Sequence, residues 1–88
     1  MPKLEQQQLD LTPADRGRIA KQRAAVLAFM RDGRWRALSE ISHATGAPEA
    51  SVSARLREFR KPEIGGWTVD RRRRFGSVSG TWEYRMTR

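Results

Sequence analysis

The chain is 88 residues long and carries 18 lysines and arginines against 10 aspartates and glutamates, a net charge of +8. That length allows one small domain with a modest core, and the charge points to anionic partners rather than to any fold. The lack of cysteine excludes disulfides, thiolate chemistry and a cysteine-ligated zinc, and no apolar run nears the roughly 20 residues of a membrane-spanning helix.

Residues 1–12 are polar and glutamine-rich, without a period, and read as a flexible N-terminal arm. They lack the apolar stretch of a secretory signal, so a cytoplasmic protein is expected. A domain over 13–88 follows. Thr12, Pro13 and Asp15 form a helix start with a cap, a proline at the first position and a capping-box acid. Ile19, Val26, Leu27, Phe29 and Met30 then give a helical stripe that Asp32-Gly33 ends. Gly17 weakens the first turn and moves the expected stable start towards Arg18.

"RWRAL", residues 34–38, alternates like a single short strand. Leu38 and Ile41 begin a second helix that stops at Gly46. Pro48 and Glu49 start a third, which Pro62 must end because proline lacks an N–H and disfavours helix in the residue before it. After Gly65-Gly66, "WTVDRRRR", "FGSVSG" and "TWEYRMT" read as strand, turn and strand. Trp82, Tyr84 and Met86 share one face of the return strand. The expected fold is α+β, with three helices and a small antiparallel sheet in the order helix, strand, helix, helix, strand, strand.

The positive charge is local. Residues 55–74 carry 8 bases and 3 acids, which accounts for +5 of the +8. On a helix at 100° per residue, with Val52 at zero, Leu56 falls at about 40° and Phe59 at about −20°, which defines the buried stripe of helix three. The opposite side holds Ala50, Ala54, Arg57 and Lys61, with Ser51 and Ser53 on its shoulders. Such a face is small at one end and cationic at the other. Small residues admit a helix to base edges in a major groove, where serine bonds either partner and an alanine methyl touches thymine. Arginine reaches guanine bidentately or holds a phosphate. The bland reading is an amphipathic helix with a solvated face.

The run Arg71, Arg72, Arg73 and Arg74 shifts the balance, because four adjacent like charges repel and call for a counter-charge. The run falls at the tip of a ribbon just after helix three, where it could follow a minor groove or a phosphate backbone.

The segments "ALSEISHATGAPEASVSARLREFRK" and "GWTVDRRRR…GTWEYRM" resemble the winged helix-turn-helix family of small bacterial and phage DNA-binding regulators. The resemblance spans about residues 18–87. It implies a recognition helix at helix three, a wing at the hairpin and transcriptional regulation in association with the nucleoid. Ser42 stands where such motifs usually carry alanine, and Arg55 stands at a commonly apolar position. At the flank of helix three, Arg55 is expected to snorkel towards the DNA backbone.

The expected double-stranded DNA contacts are thus Ser51, Ser53, Ala54 and Arg57 at the bases. Arg55, Arg60 and Lys61 are expected at phosphates, with Arg71, Arg72, Arg73 and Arg74 on the wing. With six to eight phosphate contacts the log–log salt slope is expected at roughly −5 to −7.

A competing reading is a protein-interaction module that grips an acidic partner, since Coulombic attraction does not distinguish phosphate from carboxylate. Double-stranded RNA fits less well, because an A-form major groove does not admit a helix. Neither an enzyme nor a cofactor is expected. His43 is the only histidine and has no partner ligand at metal-binding spacing. Trp35, Trp67, Trp82 and Tyr84 are expected in the core rather than as a stacking platform, and Asp70 and Glu83 as charge partners for nearby arginines. Helix one and the arm are the surfaces available for a homodimer, which the sequence leaves undecided.

Overall fold

A computed structural model of the protein describes residues 12–76 and 80–88; the arm expected over residues 1–12 lies outside them apart from Thr12. The elements run α1 (Pro13–Met30), β1 (Arg36–Ala37), α2 (Leu38–Thr45), α3 (Glu49–Phe59), a 3-10 turn (Pro62–Ile64), β2 (Thr68–Arg73) and β3 (Trp82–Thr87). Among the described residues, three helices stand with one three-stranded antiparallel sheet of order β1-β3-β2. This is the α+β architecture and element order the sequence patterns predict.

Helix α1 starts where its cap requires. The Asp15 amide donates to Thr12 Oγ1 at 3.1 Å, and the Thr12 amide donates back to Asp15 Oδ2 at 3.3 Å. The Thr12 hydroxyl also donates to Asp15 Oδ2 at 2.9 Å, and it, followed by the Thr12 amide, holds the Asp15 carboxyl below its ordinary range. Contrary to the later start that Gly17 suggested, the helix is continuous through that residue. The reciprocal cap offsets the penalty of roughly 1 kcal/mol that glycine brings to a helix interior.

Helix α2 begins immediately after β1, and Glu40 Oε1 accepts the Ala37 amide at 2.8 Å. It closes on Gly46, whose left-handed φ of 77° suits glycine. The Ser42 hydroxyl donates to the Ala47 carbonyl at 2.6 Å. A serine therefore fits this site because its hydroxyl satisfies a carbonyl in the turn between α2 and α3.

The core is Val26 and Met30 from α1, Ile41 from α2, Val52, Leu56 and Phe59 from α3, and Val69 and Met86 from the hairpin, with Ala47 from the turn. Each of these larger side chains contributes about 1.5–3 kcal/mol by leaving water, so a few of them decide whether so small a domain folds. The indoles do not form this core, contrary to expectation. Trp67 and Tyr84 only pack against it, Trp35 is half-buried, and Trp82 is 38% exposed. Aliphatic side chains and Phe59 fill the narrow space between three helices and a ribbon, leaving the larger rings at the rim, where guanidinium groups cover them.

Hydrogen bonds fasten the hairpin to α3. The Trp67 amide donates to the Phe59 carbonyl at 2.8 Å, and Arg60 Nη2 donates to the Val69 carbonyl at 2.8 Å. Between them the chain turns at Gly65, where φ is 109° and an added Cβ would lie 2.8 Å from the Trp67 ring.

Candidate nucleic-acid interface

Strand alternation sorts the arginine run into two groups. Val69, Arg71 and Arg73 pair in register with Met86, Tyr84 and Trp82. Directly paired residues point to the same side of a sheet, so these six share the side on which Val69 and Met86 enter the core. Arg71 and Arg73 continue that face beyond the core, where both are exposed. Their guanidinium carbons lie 4.6 and 4.8 Å from the Trp82 ring centroid, within cation–π range.

A groove of about 310 Å³ separates this face from α3. Ser53, Leu56, Arg57, Arg60, Val69, Arg71 and Tyr84 line it. Arg57 is exposed, as expected of the outward face. Cations of the helix and of the ribbon thus border one cleft, and Lys61 stands exposed just beyond the helix end. Among the described residues, none of Arg57, Arg60, Lys61, Arg71 and Arg73 forms an ion pair with an acid. Ser51 and Ala54 are half-buried on α3 and do not line the cleft.

Arg72 and Arg74 point the other way. Arg72 Nε donates to Glu83 Oε1 at 3.1 Å and Arg74 Nε to Glu83 Oε2 at 2.8 Å, while Arg74 Nη2 reaches Glu40 Oε1 at 2.7 Å. Arg74, followed by Arg72, holds the Glu83 carboxyl below its ordinary range. Glu40 is lowered by the Ala37 amide and then by Arg74. Conversely, Glu40 and then Glu83 raise Arg74. The counter-charge that the run demands is therefore supplied within the chain for two of its four members. Arg72 and Arg85 also stand over the Trp35 ring, at 4.2 and 4.7 Å, and Arg85 approaches Asp70 at 3.7 Å.

Arg55 is the clearest correction. Instead of reaching outward it is buried, at 8% exposure, between α1 and α3. Its Nη1 donates to Gln22 Oε1 at 2.9 Å and its Nη2 to Glu58 Oε2 at 3.0 Å. Its Nε lies 2.9 Å from Glu58 Oε1 without the alignment of a hydrogen bond. Arg23 Nη2 completes the group with a bond to Glu58 Oε1 at 3.0 Å. The physical reason is angular: Arg55 lies only about 40° from Phe59 on the helix, and Glu58, one turn on, gives it a carboxylate at the interface.

Sequence reasoning also passed over Arg36. It forms a two-pronged bond to Asp32 at 2.8 and 2.9 Å, donates to the Phe29 carbonyl at 2.9 Å and covers the Phe29 ring at 4.1 Å. Asp32 is held down at about 2, first by Arg36 and then by the Arg34 amide. The spacing of four residues was the available signal, but the residues lie outside any helix. His43 is exposed, and no group of three His, Cys, Asp or Glu among the described residues could hold a metal. No helix among them is long and apolar enough to cross a membrane.

Compared with protein families, curated proteins and solved structures, the chain matches none.

Proposed function

We propose that the protein is a winged-helix binder of double-stranded DNA, acting as a transcriptional regulator of the bacterial or phage type. Helix α3 enters the major groove, with Ser53 and Arg57 towards the base edges and Arg60 and Lys61 towards phosphates. The ribbon lays Arg71 and Arg73 along the neighbouring backbone. The observation that carries this reading is the shared cleft, which brings Arg57 and Arg60 of one element to face Arg71 of the other. Cations without acidic partners among the described residues on both walls of a cleft concentrate positive potential there, which attracts an anionic polymer.

Arg55, Arg72 and Arg74 are occupied by carboxylates within the chain and are not counted as contacts. Four phosphate-facing cations remain, Arg60, Lys61, Arg71 and Arg73, so the log–log salt slope becomes about −3.6, shallower than the sequence alone suggests.

Fluorescence anisotropy with a random-sequence duplex, followed by selection of bound sequences from a duplex pool, tests the reading. Arg57→Ala is expected to relax preference at one or two base positions, at about 1–3 kcal/mol of discrimination. The Arg71→Ala, Arg73→Ala pair is expected to weaken all sequences alike and to flatten the slope by about 2. A slope near zero, or capture of an acidic protein without any duplex binding, would replace DNA with a protein partner.

A further inference from the structure

Phe75 is fully exposed at the end of the hairpin, at 101% of its reference area, immediately after the arginine run. Among the described residues the other exposed large apolar side chain is Trp82, which Arg71 and Arg73 cover. Nothing in the fold explains a bare phenyl ring here. It adds no burial, and the next residue, Gly76, has a φ of 78°. Single apolar side chains on a surface are ordinary. What sets this one apart is its setting, since Arg71 and Arg73, which pair with no acid among the described residues, stand on the same ribbon just before it.

We infer that Phe75 is an intercalating wedge: on the DNA-binding reading above, on which this rests, it enters the minor groove beside the site read by α3 and unstacks one base step. The occupant is a duplex because the strand leading to Phe75 presents Arg71 and Arg73, two cations, on one face. An acidic, grooved polymer complements it, whereas an apolar pocket on a protein would leave the arginines desolvated.

The dimensions agree. Phe75 lies six positions after Val69 in the core, which at about 3.3 Å per position gives a reach of at most roughly 20 Å. Neighbouring major and minor grooves are offset by about half a helical turn, roughly 17 Å. Apolar side chains of this kind open base steps and kink the duplex, and pyrimidine–purine steps yield most easily. The inference therefore specifies the ligand as duplex DNA with a TA or CA/TG step at one end of the bound site.

The experiment uses a duplex obtained by selection, labelled at its ends for energy transfer and carrying 2-aminopurine at successive positions. Wild-type protein is expected to shorten the end-to-end distance and to raise 2-aminopurine emission at one step only. Phe75→Ala, which removes no contact from the fold, is expected to lose both signals and bind about tenfold more weakly, with its salt slope unchanged. Phe75→Trp is expected to retain both. A bound duplex that stays straight and dark with wild-type protein, or bending that survives Phe75→Ala, overturns the wedge and leaves DNA binding standing. Failure of wild-type protein to bind any duplex overturns both.

Discussion

At the scale of single residues, arginine performs two opposed tasks in this molecule. Arg57, Arg71 and Arg73 are exposed and lack an acidic partner among the described residues, whereas Arg55 is buried among Gln22 and Glu58. The distinction predicts divergent mutants. Arg55→Ala removes a buried side chain and its hydrogen bonds but leaves Glu58 paired with Arg23. It is expected to lower the unfolding free energy by about 1–3 kcal/mol, read from the denaturant midpoint. Its salt slope for duplex binding should stay at the wild-type value, since it touches no phosphate. A slope shallower by about 1 would return Arg55 to the interface.

At the scale of elements, the geometry of the hairpin depends on how it leaves α3. The turn at Gly65 adopts φ of 109° against the Trp67 ring, and the turn at Gly46 adopts φ of 77° with open space around a Cβ. Gly46→Ala therefore carries only the left-handed backbone penalty, about 1–2 kcal/mol. Gly65→Ala adds a clash at 2.8 Å and is expected to cost more, about 2–4 kcal/mol. For a domain of this size that corresponds to a drop in Tm of roughly 8–20 °C, visible by thermal unfolding. Equal losses for the two variants would mean that the Trp67 ring moves aside freely.

These elements also show what the sequence discloses. Caps, breakers and periodicity placed all three helices and both hairpin strands, because proline, glycine and apolar spacing act within a few residues. The alternation of a strand even contained the division of the arginine run, since Arg71 and Arg73 had to share a side with Val69. Asp70 and Glu83 were expected to pair with nearby arginines and do so, with Arg85 and with Arg72 and Arg74, but that the Arg72 and Arg74 side would also be tied to α2 was not legible. That depends on Glu40, a contact set by tertiary placement. The indoles were misjudged for a related reason: hydrophobic size predicts burial only where the core has room, and here smaller side chains already fill it.

At the scale of the whole molecule, acid stability follows from carboxylates with depressed pKa values. Glu83, Glu40 and Asp32 all titrate lower in the fold than their ordinary values of 4.5, 4.5 and 3.8. The unfolded chain then binds more protons between the two values, so stability rises with pH across that interval and is lost as pH falls. Stability is expected to be level from pH 7 to about 5 and to decline below about 4.5, the last part near the Asp32 value of about 2. Replacing Glu40 and Glu83 by glutamine should flatten the upper part of the decline, leaving the Asp32 part. Denaturant midpoints measured across pH 2–7 check this, and a double variant as acid-sensitive as wild type would contradict it.

Arg74 bridges the hairpin and α2 through Glu83 and Glu40 before any ligand arrives. The ribbon's angle to α3 is thus a built-in ruler. On the proposed DNA-binding reading, the sequences selected are expected to keep a constant interval, in base pairs, between the positions faced by α3 and the step opened by Phe75, and to tolerate no insertion between them.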